Sequence, residues 1–250
     1  MPVPKKNQLV GLDIGSHAIK LVEIDDTKKG RVLKNFGIIG LPRDAIVEGA
    51  IKEMNIVSSA IKTLFKNLKI GNKNVATSIS GYSVIVKKIS ITRRDESELE
   101  KSIHEEAEQY IPFDIHDVNL DFEILSAQEE AEAGKEEEYE EKAKKGESGM
   151  MDVMLVAAKK DIVEDYLNLL QVVSGLSPVV LDVDAFALQN AFEISSEKTS
   201  GCYALVNVGA EELGINVIKN GVSIFTRDSS YGGFQINEGI MSKFNVPYEE

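Results

Sequence analysis

A strand–glycine turn–strand pattern that occurs twice, far apart in the chain, constrains the fold more than any other feature. The first copy runs from Leu9 to Ile24 through Asp13-Ile-Gly-Ser16, and the second from Tyr203 to Ile218 through Asn207-Val-Gly-Ala210. Laid over each other, Asp13 falls on Asn207, Gly15 on Gly209, Ser16 on Ala210 and Ile24 on Ile218. Each copy is an apolar run, a polar residue, a glycine turn and a second β-prone run, which reads as a β-hairpin. Two tight glycine hairpins in two halves of one chain predict two facing phosphate-binding loops, a nucleotide clamp.

The chemistry follows from the residue types. A glycine in the turn lets backbone N–H groups approach phosphate oxygens and form an anion nest. Ser16 adds a hydroxyl donor, His17 shares the loop, Lys20 supplies a charge partner, and Asp13 would hold Mg²⁺ through water. Taken alone, Asp-x-Gly-Ser describes an ordinary turn equally well. The matched spacing of Asn207, Gly209 and Ala210 shifts the reading towards nucleotide, as does Gly232-Gly233 ahead of a helix, whose N-terminus favours anions. Asp184 stands where a strand enters a helix, either as a cap or facing the phosphates, and it is the candidate catalytic residue. His17, His104 and His116 have no ligand spacing around them and indicate neither a zinc site nor a triad.

Composition closes off other classes. The 250 residues suffice for one large domain or two smaller ones. A net charge of -13 argues against nucleic acid, whose binders neutralise phosphates with basic stripes. It equally disfavours direct adsorption on an anionic membrane, so membrane contact would come only through partners. The N-terminus lacks the apolar core of a signal peptide, and no run reaches the ~18 apolar residues of a spanning helix. The single cysteine, Cys202, opens an apolar run and reads as a small core hydrophobe. A cytoplasmic protein without disulfides is expected.

Periodicity predicts strands over 9–24 and 31–41, then a helix from Gly49 to Leu68 carrying Val57, Ile61, Leu64 and Leu68 on one face. Val75–Ser80 and Val84–Ile91 follow as strands. Asp95 with Glu98 three residues on forms a capping box, and its helix presents Leu99, Ile103, Ala107 and Tyr110 before Pro112. Asp117–Ser126 and Val153–Ala158 read as strands, and the Glu/Lys-rich run 129–147 between them as a solvated hairpin tip. A helix over Asp161–Ser174, a strand over Val179–Val183 and a helix over Ala185–Phe192 lead to the second hairpin. Val222–Arg227 adds a strand and Phe234–Phe244 a helix. A domain that opens with several strands is not expected to stop at Glu250, so the sequence reads as C-terminally incomplete.

Two phosphate hairpins, an intervening helix and a Gly-Gly turn resemble the actin/Hsp70/sugar-kinase superfamily. Within it, the chain resembles the PilM family of type IV pilus assembly proteins, relatives of the division protein FtsA. The segments that carry this are Leu12-Asp-Ile-Gly-Ser16, Glu105-Glu-Ala-Glu-Gln-Tyr-Ile-Pro-Phe-Asp114 and Asp117-Val-Asn-Leu-Asp-Phe122. Leu181-Asp-Val-Asp-Ala-Phe-Ala-Leu-Gln-Asn190 and Phe225-Thr-Arg-Asp228 before Gly232-Gly233 extend it over essentially the whole chain. The Glu-Ala-Glu-Gln-Tyr-Ile-Pro-Phe stretch is the specific part, since the hairpins are common to the superfamily.

The resemblance implies an α/β, actin-like (ribonuclease H-like) two-lobed ATPase fold with an FtsA/PilM-type inserted subdomain. Residues 1–83 would begin the first lobe and 84–158 form the insert. Residues 159–200 would return to the first lobe with the connecting helix, and 201–250 begin the second lobe. It also implies ATP and Mg²⁺ as cofactors, and the cytoplasmic N-terminal peptide of the inner-membrane protein PilN as partner, along with other pilus assembly proteins. That peptide is expected in a groove between the first subdomain and the insert, along the edge of Val75–Ser80 or Val84–Ile91 or on apolar residues beside it. Asn207 and Ala210 stand where active superfamily members carry acidic and glycine or serine residues, so little or no hydrolysis is expected. The alternatives are a small-molecule kinase or ATPase on the same fold, with Asp184 as base, and an FtsA-like filament former.

Overall fold

The computed structural model describes residues 8–125, 149–196 and 201–248, so the Glu/Lys-rich run 129–147 lies outside the described residues. Its first sheet holds five strands: β1 (Val10–Ile14), β2 (Ala18–Thr27), β3 (Gly30–Gly40), β6 (Asn74–Ile79) and β10 (Ser177–Val183). Their order is β10-β6-β1-β2-β3. β1 and β2 pair antiparallel, as the glycine turn predicts, while β6 runs parallel to both β1 and β10. Parallel strands need crossovers, and helices supply them. Helix α1 (Met54–Asn67) lays Val57, Ile61 and Leu64 against Ile19 and Leu21 in one buried cluster. Helix α3 (Lys160–Leu167) runs on as a π-type turn over Asn168–Val173, which sinks Leu169 and Leu170 completely into the same core.

The helix expected from Gly49 begins only at Met54. Before it, β4 (Ile46–Val47) and β5 (Ala50–Ile51) form a small ribbon. Glu48 and Gly49 at its tip have φ of 50° and 77°. Two consecutive positive φ values are what a two-residue hairpin demands, and they exclude a helical start.

β7 (Val84–Thr92), β8 (Val118–Ile124) and β9 (Met150–Lys159) form a separate antiparallel sheet, in the order β7-β9-β8. Helix α2 (Glu96–Ala107) buries Leu99, Ile103 and Ala107 in a core of its own with Val153, Leu155 and Ala157 of β9. The Asp95 carboxylate caps that helix, accepting the Glu98 N–H at 2.8 Å.

Helix α4 (Asp184–Ser195) links the first sheet to a third, β11 (Cys202–Val208), β12 (Leu213–Lys219) and β13 (Val222–Ser229), paired in chain order. Asn216 of β12 ties the layers together: it is buried, donates to the Ala185 carbonyl at 3.1 Å, and accepts from Ser223 Oγ at 2.6 Å. Cys202 is exposed rather than in the core, because β11 is an edge strand and Cys202 is its first residue. Helix α5 (Gly233–Phe244) is the last element among the described residues.

Sheet order also sorts the two strands expected to offer an edge. β6 is enclosed by β10 and β1, so Val75–Ser80 has no open edge. β7 pairs on one side only, and near its other side Thr226 Oγ1 of β13 donates to the Val86 carbonyl at 3.2 Å. Among the described residues, no helix is long and apolar enough to cross a membrane.

Candidate functional site

The two hairpins share one register in the structure, as their sequences do. In the first, Asp13 pairs with Lys20 and Ile14 with Ile19; in the second, Asn207 pairs with Gly214 and Val208 with Leu213. Both turns close with the same bond. Gly15 N–H donates to the Ala18 carbonyl at 3.2 Å, and Gly209 N–H donates to the Glu212 carbonyl at 2.8 Å.

They face each other across a cavity of about 320 Å³. Asp13, Gly15, Ser16, His17 and Lys20 line one wall, and Asn207, Gly209 and Ala210 the other. Asp184 and Tyr166 close the floor. Lys20 Nζ pairs with Asp13 Oδ2 at 2.7 Å, both half-exposed, so this pair adds little stability while keeping a lysine at this wall of the cavity.

Gly232 and Gly233 are placed differently from the other candidates. Neither lines the cavity; they press the start of α5 onto the second turn. Gly233 N–H donates to the Gly209 carbonyl at 2.9 Å and Phe234 N–H to the Ala210 carbonyl at 2.8 Å. Gly232 N–H donates to Gln235 Oε1 at 2.8 Å. A Cβ on Gly232 would sit 2.6 Å from the Ala210 carbonyl oxygen, so glycine there serves backbone packing.

Asp184 is not a cap. Val183 holds the cap position, and Asp184 is the first helical residue. Burial raises its pKa, Asp13 and Asp228 raise it further, and hydrogen bonds with Ser78 and Ser80 oppose the rise. The Tyr166 phenol is also pushed up, first by burial and then by Asp184, Glu212 and Asp13.

Sequence reasoning missed the acidic part of the second wall, formed by Glu211, Glu212 and Asp228. The neutral Asn207 therefore does not make that wall neutral. Glu212 rises to about 7, mainly through burial and next through Asp228. One signal was available in Gly214, since a glycine inside a strand marks a close approach. Asp228 Oδ1 lies 3.0 Å from where a Cβ on Gly214 would be.

Further contacts join the segments around the two hairpins. Arg43 pairs with Glu238 and stacks 5.2 Å from the Phe234 ring centroid. The His17 ring meets the same Phe234 edge-on, with centroids 5.7 Å apart. Glu48 N–H donates to Glu211 Oε2 at 3.1 Å.

A model of the family described as "Type IV pilus assembly protein PilM" matches residues 11–250. Among solved structures, a PilM–PilN type IV pilus biogenesis complex is similar, with a TM-score of 0.81 and 28% identity over 97% of this chain and 67% of that one. The ethanolamine utilization protein EutJ of Carboxydothermus hydrogenoformans matches with a TM-score of 0.51 and 16% identity, over 100% of this chain and 61% of that one. The cytoplasmic domain of EpsL, an inner-membrane component of the Vibrio cholerae type II secretion system, matches with a TM-score of 0.53 and 12% identity, over 98% and 79%. The last two likenesses concern the fold alone, which is actin-like.

Proposed function

The chain belongs to the PilM family of type IV pilus assembly proteins, and from that membership we propose a nucleotide-binding scaffold with little or no hydrolysis. It would act on the cytoplasmic side of the inner membrane, held there by the N-terminal cytoplasmic peptide of PilN and working beside other pilus assembly proteins. One observation carries the nucleotide part: two hairpins of identical register face each other over one cavity. The structural likeness to a PilM–PilN complex supports the partner.

The residues fit ATP with Mg²⁺ better than a bare phosphate. Lys20 is the one lysine or arginine among the described lining residues, and the same lining carries Asp13, Asp184, Glu211, Glu212 and Asp228. Such a wall repels an unaccompanied polyanion and suits one that brings its own cation. Among the described residues, no group of three or more His, Cys, Asp or Glu is arranged to hold a metal. Asp13 would act through water, with the phosphates supplying the remaining oxygens. Ser16 and the Gly15 turn would orient the phosphates from one side, and Asn207 and the Gly209 turn from the other. The Gly232-Gly233 pair would act indirectly, by fixing the second turn.

For PilN, β7 keeps one side that no strand pairs, and an extended peptide would pair along the part of it that Thr226 of β13 leaves free. Main-chain hydrogen bonds to such an edge give affinity, and side-chain pockets beside it give selectivity. A PilN N-terminal peptide immobilised on beads should retain this protein. No retention by protein that is shown to be folded would sink the assignment. Calorimetry with ATP and Mg²⁺ tests the cleft separately. Stoichiometric binding without turnover supports the scaffold, whereas phosphate transfer to a small molecule would favour a kinase with Asp184 as base.

A further inference from the structure

The segment that leads from β6 into β7 is gripped by the third sheet. Ser80 Oγ donates to Glu212 Oε2 at 3.2 Å, and Gly81 N–H donates to Asp228 Oδ2 at 2.9 Å. Tyr82 and Ser230 share a hydroxyl–hydroxyl bond of 3.0 Å. Gly81 has φ +83°, and a Cβ there would lie 2.5 Å from Glu212 Oε1. Glu212 Oε1 is buried and has no hydrogen-bond partner. Three consecutive residues of the first half thus hold three positions of the second, and one carboxyl oxygen in the middle is unsatisfied.

We propose that Ser80, Gly81 and Tyr82 form, with Glu212 and Asp228, a proton-operated latch between the two lobes, closed when Glu212 is neutral and released when it ionises.

The surroundings explain why a proton should decide it. Asp228 faces Glu212 from β13, Asp184 from the start of α4, and Glu211 from its own turn. Tyr166 of α3 completes the floor with a phenol that stays neutral. On the far wall stand Asp13, His17 and Lys20, and Lys20 is already paired with Asp13. The Ser80 hydroxyl serves Glu212 Oε2 and leaves Oε1 without a donor. A hydroxyl can donate to only one carboxylate oxygen at a time. An ionised Glu212 therefore keeps a desolvated, unpaired oxygen among like charges, whereas a protonated one loses its charge and gains a donor.

In an open cleft, water would solvate Glu212 and return it to the ordinary carboxylate range. The closed form then binds the proton more tightly, with Glu212 at about 7 against the ordinary 4.5. Lowering pH from about 7 towards 4.5 favours closure, and above 7 the full repulsion acts against it. This device requires no nucleotide, so it stands or falls independently of the function proposed above.

The test uses the nucleotide-free chain in a Cys202→Ser background, with spin labels at Lys62→Cys on α1 and Lys219→Cys on β12. Wild-type Glu212 should give a short, narrow distance distribution at pH 6 and a longer or broader one at pH 8. Glu212→Gln should keep the short distribution at both. A wild-type distribution that ignores pH, or a Glu212→Gln protein that shifts as wild type does, overturns the latch. A carboxyl ¹³C titration of the unsubstituted protein needs no variant: a Glu212 midpoint near 7 is expected, and an ordinary carboxylate midpoint overturns the proposal.

Discussion

The Gly81 N–H donates to the Asp228 carboxylate at 2.9 Å, although 147 residues separate them in the chain. This bond joins the exit of a first-sheet strand to the last strand of the third sheet, next to the cavity residues Ser80 and Asp228. Gly81 has a φ of +83°, which glycine adopts without strain, and its lack of a Cβ leaves room for the Glu212 carboxyl.

Replacing Gly81 by Ala should cost stability for two reasons, a strained φ and a Cβ driven against the Glu212 carboxyl. A loss of about 1–3 kcal/mol in urea unfolding is expected. Gly175→Ala is the control: its φ is +69° but nothing lies within 4 Å of the added Cβ. That variant should lose only about 1 kcal/mol, the backbone part alone. Equal losses in both would show that the Glu212 carboxyl moves aside for the added Cβ and that only the backbone conformation matters at Gly81.

Glu212 should make stability depend on pH in the direction opposite to most carboxylates. Its native pKa is raised, so the folded protein binds more protons than the unfolded chain between about 4.5 and 7. This group's contribution to unfolding free energy then falls as pH rises through that window and levels off above it. Relative to wild type, Glu212→Gln should therefore be more stabilised at pH 8 than at pH 5. A constant difference across the two pH values would contradict the burial described here.

Asn216→Ala should be costly because it strands two partners, the Ala185 carbonyl and the Ser223 hydroxyl, inside the protein. About 1–3 kcal/mol is expected. The double variant with Ser223→Ala should lose less than the sum of the singles, since it removes one stranded donor. Strict additivity in thermal or urea melts would rule out the coupling.

Asp13→Ala should weaken binding of ATP with Mg²⁺ by at least about tenfold in calorimetry, roughly 1.4 kcal/mol. It should leave the hairpin itself folded, because the β1–β2 ladder does not use the Asp13 side chain. Unchanged affinity would show that the first turn is not the metal–phosphate wall.

The periodicity of the chain carried the strands and helices well, because alternation and three-to-four spacing report burial directly. Its main misreading was at Gly49, where Glu48 and Gly49 form a two-residue turn that apolar spacing cannot register. Cys202 misled for a related reason: an apolar run says that a strand exists, not whether that strand lies at a sheet edge.

The sequence by itself determined the paired hairpins and the residues of the first cavity wall. Turn chemistry and strand register are local, so Asp13, Gly15 and Lys20 could be placed from spacing alone. It also supplied the segments that mark the family. Only the tertiary structure decided that Gly232-Gly233 packs behind the second turn, and that Glu212 and Asp228 fill the wall left neutral by Asn207. Those assignments depend on how distant segments approach and on which carboxyls lose their water. Proximity and desolvation of that kind exist only once the sheets have come together.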